Sequence, residues 1–410
     1  MKRIIFITML TMTLFLSLCS CGDDDDDNDN DQSDDDSGDD DTYIGDDDDA
    51  FVGDWYIDTV DDMSGEIDEF MHTSIDLDSL EIPHISFFDM AFPHGLRVAT
   101  WQNNEWIVQR ILNDSEFRGF ASYELDDNDI GHMATQQIIT NLGKDTYRIL
   151  SHATNENGPW ELEVISDNVG ENSLEVGKYA SLAIDIDNKM HVSCRGLIYY
   201  NNVEGAWAYQ GGDTCSSEGG SGYFTSIFID DENEVHITHG GCNDIEDCQR
   251  YVTSLGGWHG ECIPDSQKTA YQSSISVDHN GVINIAYNLL FEDAKFDYYM
   301  SLNFAYKAGD NWTTEEVDPN ISDNCRELSD SYLGLDPDGH AHIAYTGLDD
   351  EDNPVLKYAT NASGVWVTEI VDPSPNSGIG ASIAVDSEGY VHISYYDNGN
   401  SSLKYATNRP

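Results

Sequence analysis

Apolar and polar residues alternate in short runs along most of the chain, and turn-forming residues separate the runs. The stretch Ser382–Asp397 shows the pattern: Ser-Ile-Ala-Val, then Asp-Ser-Glu-Gly, then Tyr-Val-His-Ile-Ser-Tyr-Tyr-Asp. Alternation with a period of two is typical of strands with one buried face, and the central Asp-x-x-Gly is typical of a tight turn. The pattern therefore predicts a β-hairpin.

Versions of this hairpin recur along the chain with a fixed internal spacing. Aligned on the His, seven copies carry an Asp six residues earlier, and one copy has Asn in place of the His. The pairs are Asp78 and His84, Asp126 and His132, Asp185 and His191, Asp230 and His236, Asp278 and Asn284, Asp336 and His342, and Asp386 and His392. With the apolar runs that follow, each copy predicts four short strands in a unit of roughly 50 residues, which is typical of a β-propeller blade.

A Trp follows the hairpin in the first six copies, and a seventh Trp indicates how the ring closes. The six are Trp106, Trp160, Trp207, Trp258, Trp312 and Trp366. The last copy ends without one, but Gly53–Asp61 near the start matches Gly364–Asp372 and supplies Trp55. We therefore predict an all-β fold over residues 51–410: a seven-bladed β-propeller of four-stranded blades, closed by the N-terminal strand completing the last blade, so that no blade edge stays unpaired.

The repeated residues have a structural interpretation. The offset of six places Asp and His diagonally on one face of the hairpin, within hydrogen-bonding reach, so we predict an Asp–His pair in most blades and no metal site. We expect the Trp side chains to pack between blades, and the alternative is an aromatic platform for a sugar. The third residue of each turn should adopt the left-handed conformation, which favours Gly or Asn. These third residues are Gly389, Gly339, Gly281, Asn188, Asn233, Asp129 and Glu81, of which Glu81 departs furthest from the preferred types.

The first 21 residues form a targeting segment. A positively charged start precedes an apolar run over residues 4–18, which is too short for a comfortable membrane span and typical of an export signal. The ending Leu-Cys-Ser-Cys resembles a bacterial lipoprotein signal, which implies lipid attachment at Cys21 and contact with a membrane through the lipid anchor alone. Residues 22–50 are mostly Asp and predict a disordered linker.

The formal net charge of −60 narrows the classes of partner. Such an excess of carboxylates repels nucleic acid and anionic lipid head groups, so we expect no nucleic-acid partner. We predict a monomer without a cofactor, and the acidic loop Asp349–Asp352 leaves calcium binding as an open alternative.

Six cysteines follow the signal, and an even number in an exported chain indicates disulfides. Cys242 and Cys248 share one loop and are the predicted local pair, while the lack of Cys-x-x-Cys argues against zinc. The third and fourth blades contain most of these cysteines and the Gly-rich segment Gly211–Gly220, so they are the predicted binding region. The disulfide candidates are Cys194, Cys215, Cys242, Cys248, Cys262 and Cys325. Aromatic residues in less regular surroundings are further surface candidates, namely Trp101, Tyr199, Tyr200 and Tyr251.

The hairpin unit resembles sialidase-type propellers (the BNR type) and bacterial cell-surface repeat proteins built from Asp-x-x-Gly-x-x-His-Ile-Ser-Tyr units, here Asp386–Tyr395. The resemblance covers residues 51–410 and implies an exported protein anchored at the bacterial outer membrane or cell surface. Sialidases also carry an Arg triad and a Ser-x-Asp-x-Gly-x-Thr-Trp box, and neither is found in this sequence. No catalytic residue is therefore assigned.

The functional expectation is a lipid-anchored propeller that binds carbohydrate or protein at one of its faces. The alternative is a propeller enzyme acting on polysaccharide, a glycosidase or a lyase. The mouth of the central channel should distinguish them. A cluster of Arg, Tyr and carboxylates there would favour the enzyme, whereas Ser, Ala and backbone groups from equivalent repeat positions would favour the binding module.

Overall fold

Every regular element in the part of the chain that the structure describes is a β-strand, as the alternating pattern predicts. The computed structural model describes residues 50–52, 55–63, 71–89, 95–113, 117–140, 146–166, 176–195, 198–210, 223–240, 248–266, 270–292, 298–323 and 331–410. Among these residues, no helix is long and apolar enough to cross a bilayer. The targeting segment with Cys21, the Asp-rich segment up to residue 49, and Cys215, Cys242 and Cys325 lie outside them.

The first four blades each consist of four consecutive strands. Blade 1 contains β3 (Ser74–Leu77), β4 (Pro83–Asp89), β5 (Gly95–Gln102) and β6 (Glu105–Asn113). Blade 2 contains β7 (Phe117–Leu125), β8 (Gly131–Thr140), β9 (Thr146–Thr154) and β10 (Glu161–Ser166). Blade 3 contains β11 (Ser181–Ile184), β12 (Met190–Cys194), β13 (Ile198–Asn201) and β14 (Ala208–Tyr209). Blade 4 contains β15 (Tyr223–Ile229), β16 (Val235–Gly240), β17 (Gln249–Thr253) and β18 (His259–Cys262).

The last three blades follow the same plan until the ring closes. Blade 5 contains β19 (Ala270–Val277), β20 (Ile283–Glu292), β21 (Tyr298–Ala308) and β22 (Asn311–Asp323). Blade 6 contains β23 (Ser331–Leu335), β24 (Ala341–Leu348), β25 (Pro354–Thr360) and β26 (Val367–Asp372). Blade 7 contains β27 (Ile379–Val385), β28 (Val391–Asp397) and β29 (Ser402–Thr407) from the C-terminus, and β2 (Trp55–Asp62) and β1 (Ala50–Val52) from the N-terminus.

The closure predicted from Trp55 is confirmed, because β2 pairs antiparallel with β29 and is the fourth strand of blade 7. Ile57 lies opposite Ala406 in this ladder. A second link joins blade 7 to blade 1, where the Glu81 carboxylate accepts a hydrogen bond from the Ser387 hydroxyl and pairs with Arg409 at 2.9 Å. The two ends of the propeller are therefore held together by a β-ladder and by side chains.

The first strands of the blades surround the central axis, each contacting the first strands of both neighbours, with β27 returning to β3. Six blades carry a Ser at the same position of this strand. Each Ser hydroxyl accepts a hydrogen bond from a backbone N–H of the next blade at 3.0–3.3 Å, which we call the serine ring. Its members are Ser74, Ser122, Ser181, Ser226, Ser274 and Ser382. Blade 6 has Tyr332 at this position, opposite Ala344 of β24.

The hairpin turns adopt the conformation expected from their sequence. All seven third residues have positive φ, from 56° at Asn188 to 86° at Gly389, and Glu81 shares it at 61°. One carboxylate oxygen of each turn Asp accepts two backbone N–H groups of its turn at 2.8–3.1 Å. These bonds stabilise a backbone that Glu81 adopts less readily than Gly or Asn.

Candidate functional site

The repeated Asp and His residues contact each other inside their own blades. The His Nε2 lies 3.1, 3.0 and 3.4 Å from the Asp Oδ2 in blades 3, 4 and 7, and 3.5, 3.7 and 3.4 Å from it in blades 1, 2 and 6. Within the described residues, no group of three or more His, Cys, Asp or Glu could hold a metal ion. The pairs therefore connect the turn to the second strand in six of the seven blades.

In blades 3, 4, 6 and 7 the other imidazole nitrogen of the His contacts a Tyr hydroxyl on the third strand. Nδ1 lies 2.7 Å from the hydroxyl in blades 3 and 4, where the partners are Tyr199 and Tyr251. Burial lowers the pKa of His191, so the ring is uncharged at neutral pH. Its Nδ1 can then accept a hydrogen bond from the phenol hydroxyl, while its Nε2–H donates a hydrogen bond to the Asp. Tyr199 and Tyr251 are only 3% and 2% exposed, so their prediction as surface residues is wrong.

Three blades vary this arrangement. In blade 5 the His is replaced by Asn284, and the third-strand residue that corresponds to the Tyr is Phe304, which has no hydroxyl. In blade 2 the corresponding residue is His152, whose Nε2 lies 3.1 Å from Nδ1 of His132.

In blade 1 the corresponding residue is Val98, and Nδ1 of His84 instead contacts the Thr100 hydroxyl at 3.2 Å. Every repeat His thus has a polar partner at Nδ1, and blade 5 lacks both the His and the hydroxyl, because an unpaired polar group is costly in a buried place.

Tyr358→Phe should lower the free energy of unfolding by about 1–2 kcal/mol, because His342 would lose its buried hydroxyl donor. His342→Asn should cost less in the Tyr358→Phe background than in the wild type, by about 1 kcal/mol, because the double variant recreates the residue pair of blade 5. Urea denaturation of the four proteins measures both values. Strictly additive effects would contradict the coupling.

The Trp residues lie between blades, as predicted for a structural role. Their rings pack against third-strand aromatic or imidazole rings of the preceding blade at 5.0–5.5 Å in six of the seven blades. Five indole N–H groups donate to a carboxylate three residues after the Trp of the preceding blade, such as Trp366 to Glu315 at 2.6 Å. The Trp-x-x-Glu/Asp spacing is a sequence signal for this contact, and the packing of these rings against the preceding blade fits the structural role rather than the platform alternative.

The cysteine prediction requires correction. Cys248 forms a disulfide with Cys262, whose strand β18 pairs with β17, so the predicted pair of Cys242 and Cys248 is wrong. Cys194 is buried with a free thiol, and burial raises its pKa to about 12. Sequence proximity favoured the local pair, whereas the antiparallel ladder brings Cys262 next to Cys248.

The other two predicted surface residues differ in how deeply they are buried. Tyr200 is 8% exposed and donates to the Ser166 hydroxyl at 2.9 Å, so its prediction as a surface residue is also wrong. Trp101 is half-buried and packs edge-on against Trp106 at 5.3 Å.

The acidic loop after β24 resembles a blade turn in its hydrogen bonds. The Asp349 carboxylate accepts the backbone N–H groups of Glu351 and Asn353, both at 2.8 Å. The hydrogen bond from the Asn353 side chain, and then these backbone bonds, lower the pKa of Asp349. These contacts give Asp349 the role of a turn cap, as in the seven hairpins.

A cavity of about 80 Å³ lies where the N-terminal parts of the first strands surround the channel axis. Serines of the serine ring, other small residues and Gln272 line much of it. The described lining residues include no Arg, Lys, Asp or Glu. Of the two compositions considered for the channel mouth, this lining contains the Ser and Ala of one and the Tyr of the other, without the Arg and carboxylates of the latter.

Blades 3 and 4 contribute an aromatic pair to the cavity wall, which we call the aromatic ledge: Tyr179 and Phe224. Their ring centroids are 4.1 Å apart with a tilt of 38°. Both backbones lie in the left-handed region, with φ of 54° and 50°, which is costly for bulky residues. The Thr225 hydroxyl donates to the Tyr179 carbonyl at 2.9 Å and helps hold this conformation.

The opposite side of the cavity contains a Tyr–His contact. Tyr332, which takes the place of a serine in the ring, has its hydroxyl 3.3 Å from Nδ1 of His72. This contact joins blade 6 to the segment before blade 1 and passes blade 7, where the position that corresponds to Tyr179 is Gly380 with φ of 59°. A Cβ at Gly380 would collide with the backbone of Met71, so this position requires glycine.

Sequence reasoning missed all four of these residues: His72, Tyr179, Phe224 and Tyr332. The repeat alignment contained a signal for three of them. Tyr332 stands where the other blades have Ser, and each ledge residue lies two positions before the repeated Ser of its own blade. The ledge lies on the two blades predicted to carry the binding region. The segment Gly211–Gly220 lies outside the described residues.

Two carboxylates lie on the same strands, two residues beyond the serines of blades 1 and 2. Asp76 accepts backbone N–H groups of Leu77 and Leu125 at 2.8 and 2.7 Å. Burial raises the pKa of Asp76 to about 6 in spite of these bonds. Burial, and then the neighbouring charge of Asp76, raise the pKa of Glu124 well above its usual range. The inner strands of blades 1 and 2 therefore favour protonated carboxyl groups.

Comparison with known proteins supports the fold and leaves the family open. No family model and no curated protein matches the sequence. Among solved structures, an ulvan lyase of a polysaccharide lyase family, bound to -[GlcA(1-4)Rha3S]-, is similar with a TM-score of 0.56 at 11% identity, over 85% of this chain and 94% of that chain. An α-L-arabinofuranosidase from Fusarium graminearum, in complex with an iminosugar inhibitor, has a TM-score of 0.51 at 8% identity, over 85% and 96% of the two chains. A Hadza microbial sialidase has a TM-score of 0.45 at 10% identity, over 82% and 65%. The chain thus shares its propeller fold with carbohydrate-active enzymes.

Proposed function

We propose that this protein is an exported, lipid-anchored module that binds carbohydrate at the mouth of its propeller channel. The composition of the cavity carries the proposal. Hydroxyl and amide groups surround it on several blades, and aromatic rings form part of its wall. Carbohydrates combine hydroxyl groups with apolar C–H faces, and this lining offers partners for both.

The same lining favours binding over hydrolysis. Glycosidases use two carboxyl groups separated by about 5–9.5 Å on either side of the bond that they cleave. Asp and Glu are missing from the described lining residues, and Asp76 and Glu124 are engaged with backbone N–H groups of the next blade.

A lyase is the second candidate, and one observation favours it. Lyases need a general base and acid rather than two carboxylates, and the Tyr332 hydroxyl contacts an imidazole nitrogen of His72. The ulvan lyase with the same fold acts on a polysaccharide, as its name states. At this sequence identity, that likeness concerns the fold alone.

A glycan array, combined with assays for new reducing ends and for unsaturated sugar products, tests the proposal. We expect the purified protein to retain at least one glycan without releasing product. Tyr332→Ala should weaken binding at the array, whereas Leu80→Ala, at a 76% exposed turn residue, should not. If the wild type releases unsaturated product and Tyr332→Phe does not, the protein is a lyase and the proposal of a binding module is wrong. An array without any bound glycan would contradict both.

The anchor is tested separately in bacterial cells. We expect a palmitate analogue to label the wild type and to leave Cys21→Ala unlabelled, because Cys21 follows the segment that resembles a lipoprotein signal. Cys194→Ala serves as the matched control, since its thiol is buried in blade 3, and should stay labelled. Equal labelling of wild type and Cys21→Ala would contradict the anchor.

A further inference from the structure

The aromatic ledge has a left-handed backbone, which it shares with the corresponding position of blade 7. Blade 7 uses Gly380 at the corresponding position, and a left-handed residue there suits glycine. Blades 3 and 4 instead use Tyr179 and Phe224, with φ of 54° and 50°. The left-handed backbone costs each aromatic residue conformational energy that a glycine would not lose.

The side chains are also placed for contact with a ligand. Both residues line the cavity at the channel mouth and are half-buried, in contrast to the buried third-strand tyrosines of the blade interfaces. Their rings come from adjacent blades and are stacked on each other, with centroids 4.1 Å apart and a tilt of 38°. The stacked pair forms an apolar part of the cavity wall, next to the hydroxyl groups of Thr225 and the serine ring.

The surroundings hold the ledge in place. The Thr225 hydroxyl donates to the Tyr179 carbonyl and accepts from the Ser193 hydroxyl at 3.1 Å. The Lys178 ammonium lies 4.8 Å from the centre of the Tyr179 ring. A strained conformation supported by several neighbours is typical of ligand-binding sites.

We propose that Tyr179 and Phe224 are the specificity-determining residues of the site, and that a pyranose unit of the bound carbohydrate packs its C–H face against this stacked pair. The inference rests on the proposed carbohydrate binding and adds its contact residues and the ring type. The polar edge of the sugar then faces Gln272 and the hydroxyl groups of the cavity wall. The two rings select a flat ligand face, and the hydroxyl groups select its orientation.

The test uses substitutions that separate binding from folding. Tyr179→Gly and Phe224→Gly remove the rings and relieve the left-handed strain, so each should weaken binding of the strongest glycan from the array by at least about tenfold while the thermal midpoint stays equal or rises. Tyr179→Phe keeps the ring and should retain binding within about threefold. The matched control is Tyr209→Gly, since Tyr209 belongs to the outer strand of blade 3 and is 63% exposed; it should leave binding unchanged.

Each outcome of the glycan-binding and thermal-midpoint measurements tests a different claim. Glycan binding that survives both Gly variants would overturn the ledge and leave the proposed function standing. A clear fall of the thermal midpoint in both variants would assign the rings to packing and overturn the ledge as well. A wild type that binds no glycan would remove the proposed function itself. An array that selects furanose oligosaccharides alone, with the ledge variants inactive, would overturn the ring type.

Discussion

Trp55→Ala should lower the free energy of unfolding by about 3–5 kcal/mol, the range for truncating a buried Trp. Trp55 is 2% exposed, packs edge-on against Tyr358 at 5.2 Å, and donates its indole N–H to Glu369 at 2.9 Å. It also begins β2, the strand that completes blade 7, so its loss should weaken the closure of the ring. Urea denaturation followed by circular dichroism measures the change.

The closure of the ring also predicts how the Trp55 variant associates, independently of its stability. Loss of β2 would leave β29 as an unpaired edge, and unpaired edges associate. Trp55→Ala should therefore form oligomers in sedimentation experiments at concentrations where the wild type does not. Tyr209→Ala, at an exposed aromatic residue of blade 3, is the control and should change stability by less than about 1 kcal/mol. A Trp55 variant that matches this control in both measurements would show that the ring closes without this side chain.

The second large effect is a pH dependence that originates at Asp76. Burial raises its pKa from an ordinary value near 3.8 to about 6, so the folded protein binds the proton more tightly than the unfolded chain. The resulting stabilisation is fully present below the ordinary Asp pKa and is lost as the pH rises towards about 6. Between about pH 4 and pH 7, Asp76→Asn should therefore gain roughly 2–3 kcal/mol of unfolding free energy relative to the wild type.

An opposite control is available in the acidic loop of blade 6. Hydrogen bonds from Asn353 lower the pKa of Asp349, so its stabilisation is present above the ordinary Asp pKa and is lost as the pH falls. Asp349→Asn should thus lose stability relative to the wild type as the pH rises. Denaturation curves of the three proteins across this range check both signs. A relative stability of Asp76→Asn that is independent of pH would contradict a raised Asp76 pKa.

The cavity and the blade interfaces place different demands on their aromatic residues. At the interfaces, the third-strand Tyr rings are buried and their hydroxyl groups are hydrogen-bonded, as for Tyr405 with His392 at 2.5 Å. At the channel mouth, Tyr179 and Phe224 retain exposed surface and strained backbones. This difference separates residues that stabilise the propeller from residues that we assign to ligand binding.

The sequence by itself determined the seven repeats, the four strands of each blade, the left-handed turn residues and the closure around Trp55. These features depend on residues close together in the chain or on the comparison of one repeat with another. An alternating pattern selects the strand face, and the Asp-x-x-Gly spacing selects the turn, whatever the distant surroundings. The offset of six between Asp and His has the same local character.

The tertiary structure alone decided which residues from different blades meet. It pairs Cys248 with Cys262 across a ladder, buries Tyr199 and Tyr251 against histidines, and brings Tyr332 to His72 past a whole blade. It also places the aromatic ledge beside the serine ring to form the cavity. Such contacts depend on the rotation between blades around the axis, which no local pattern encodes, because each blade contributes only one segment to the channel wall.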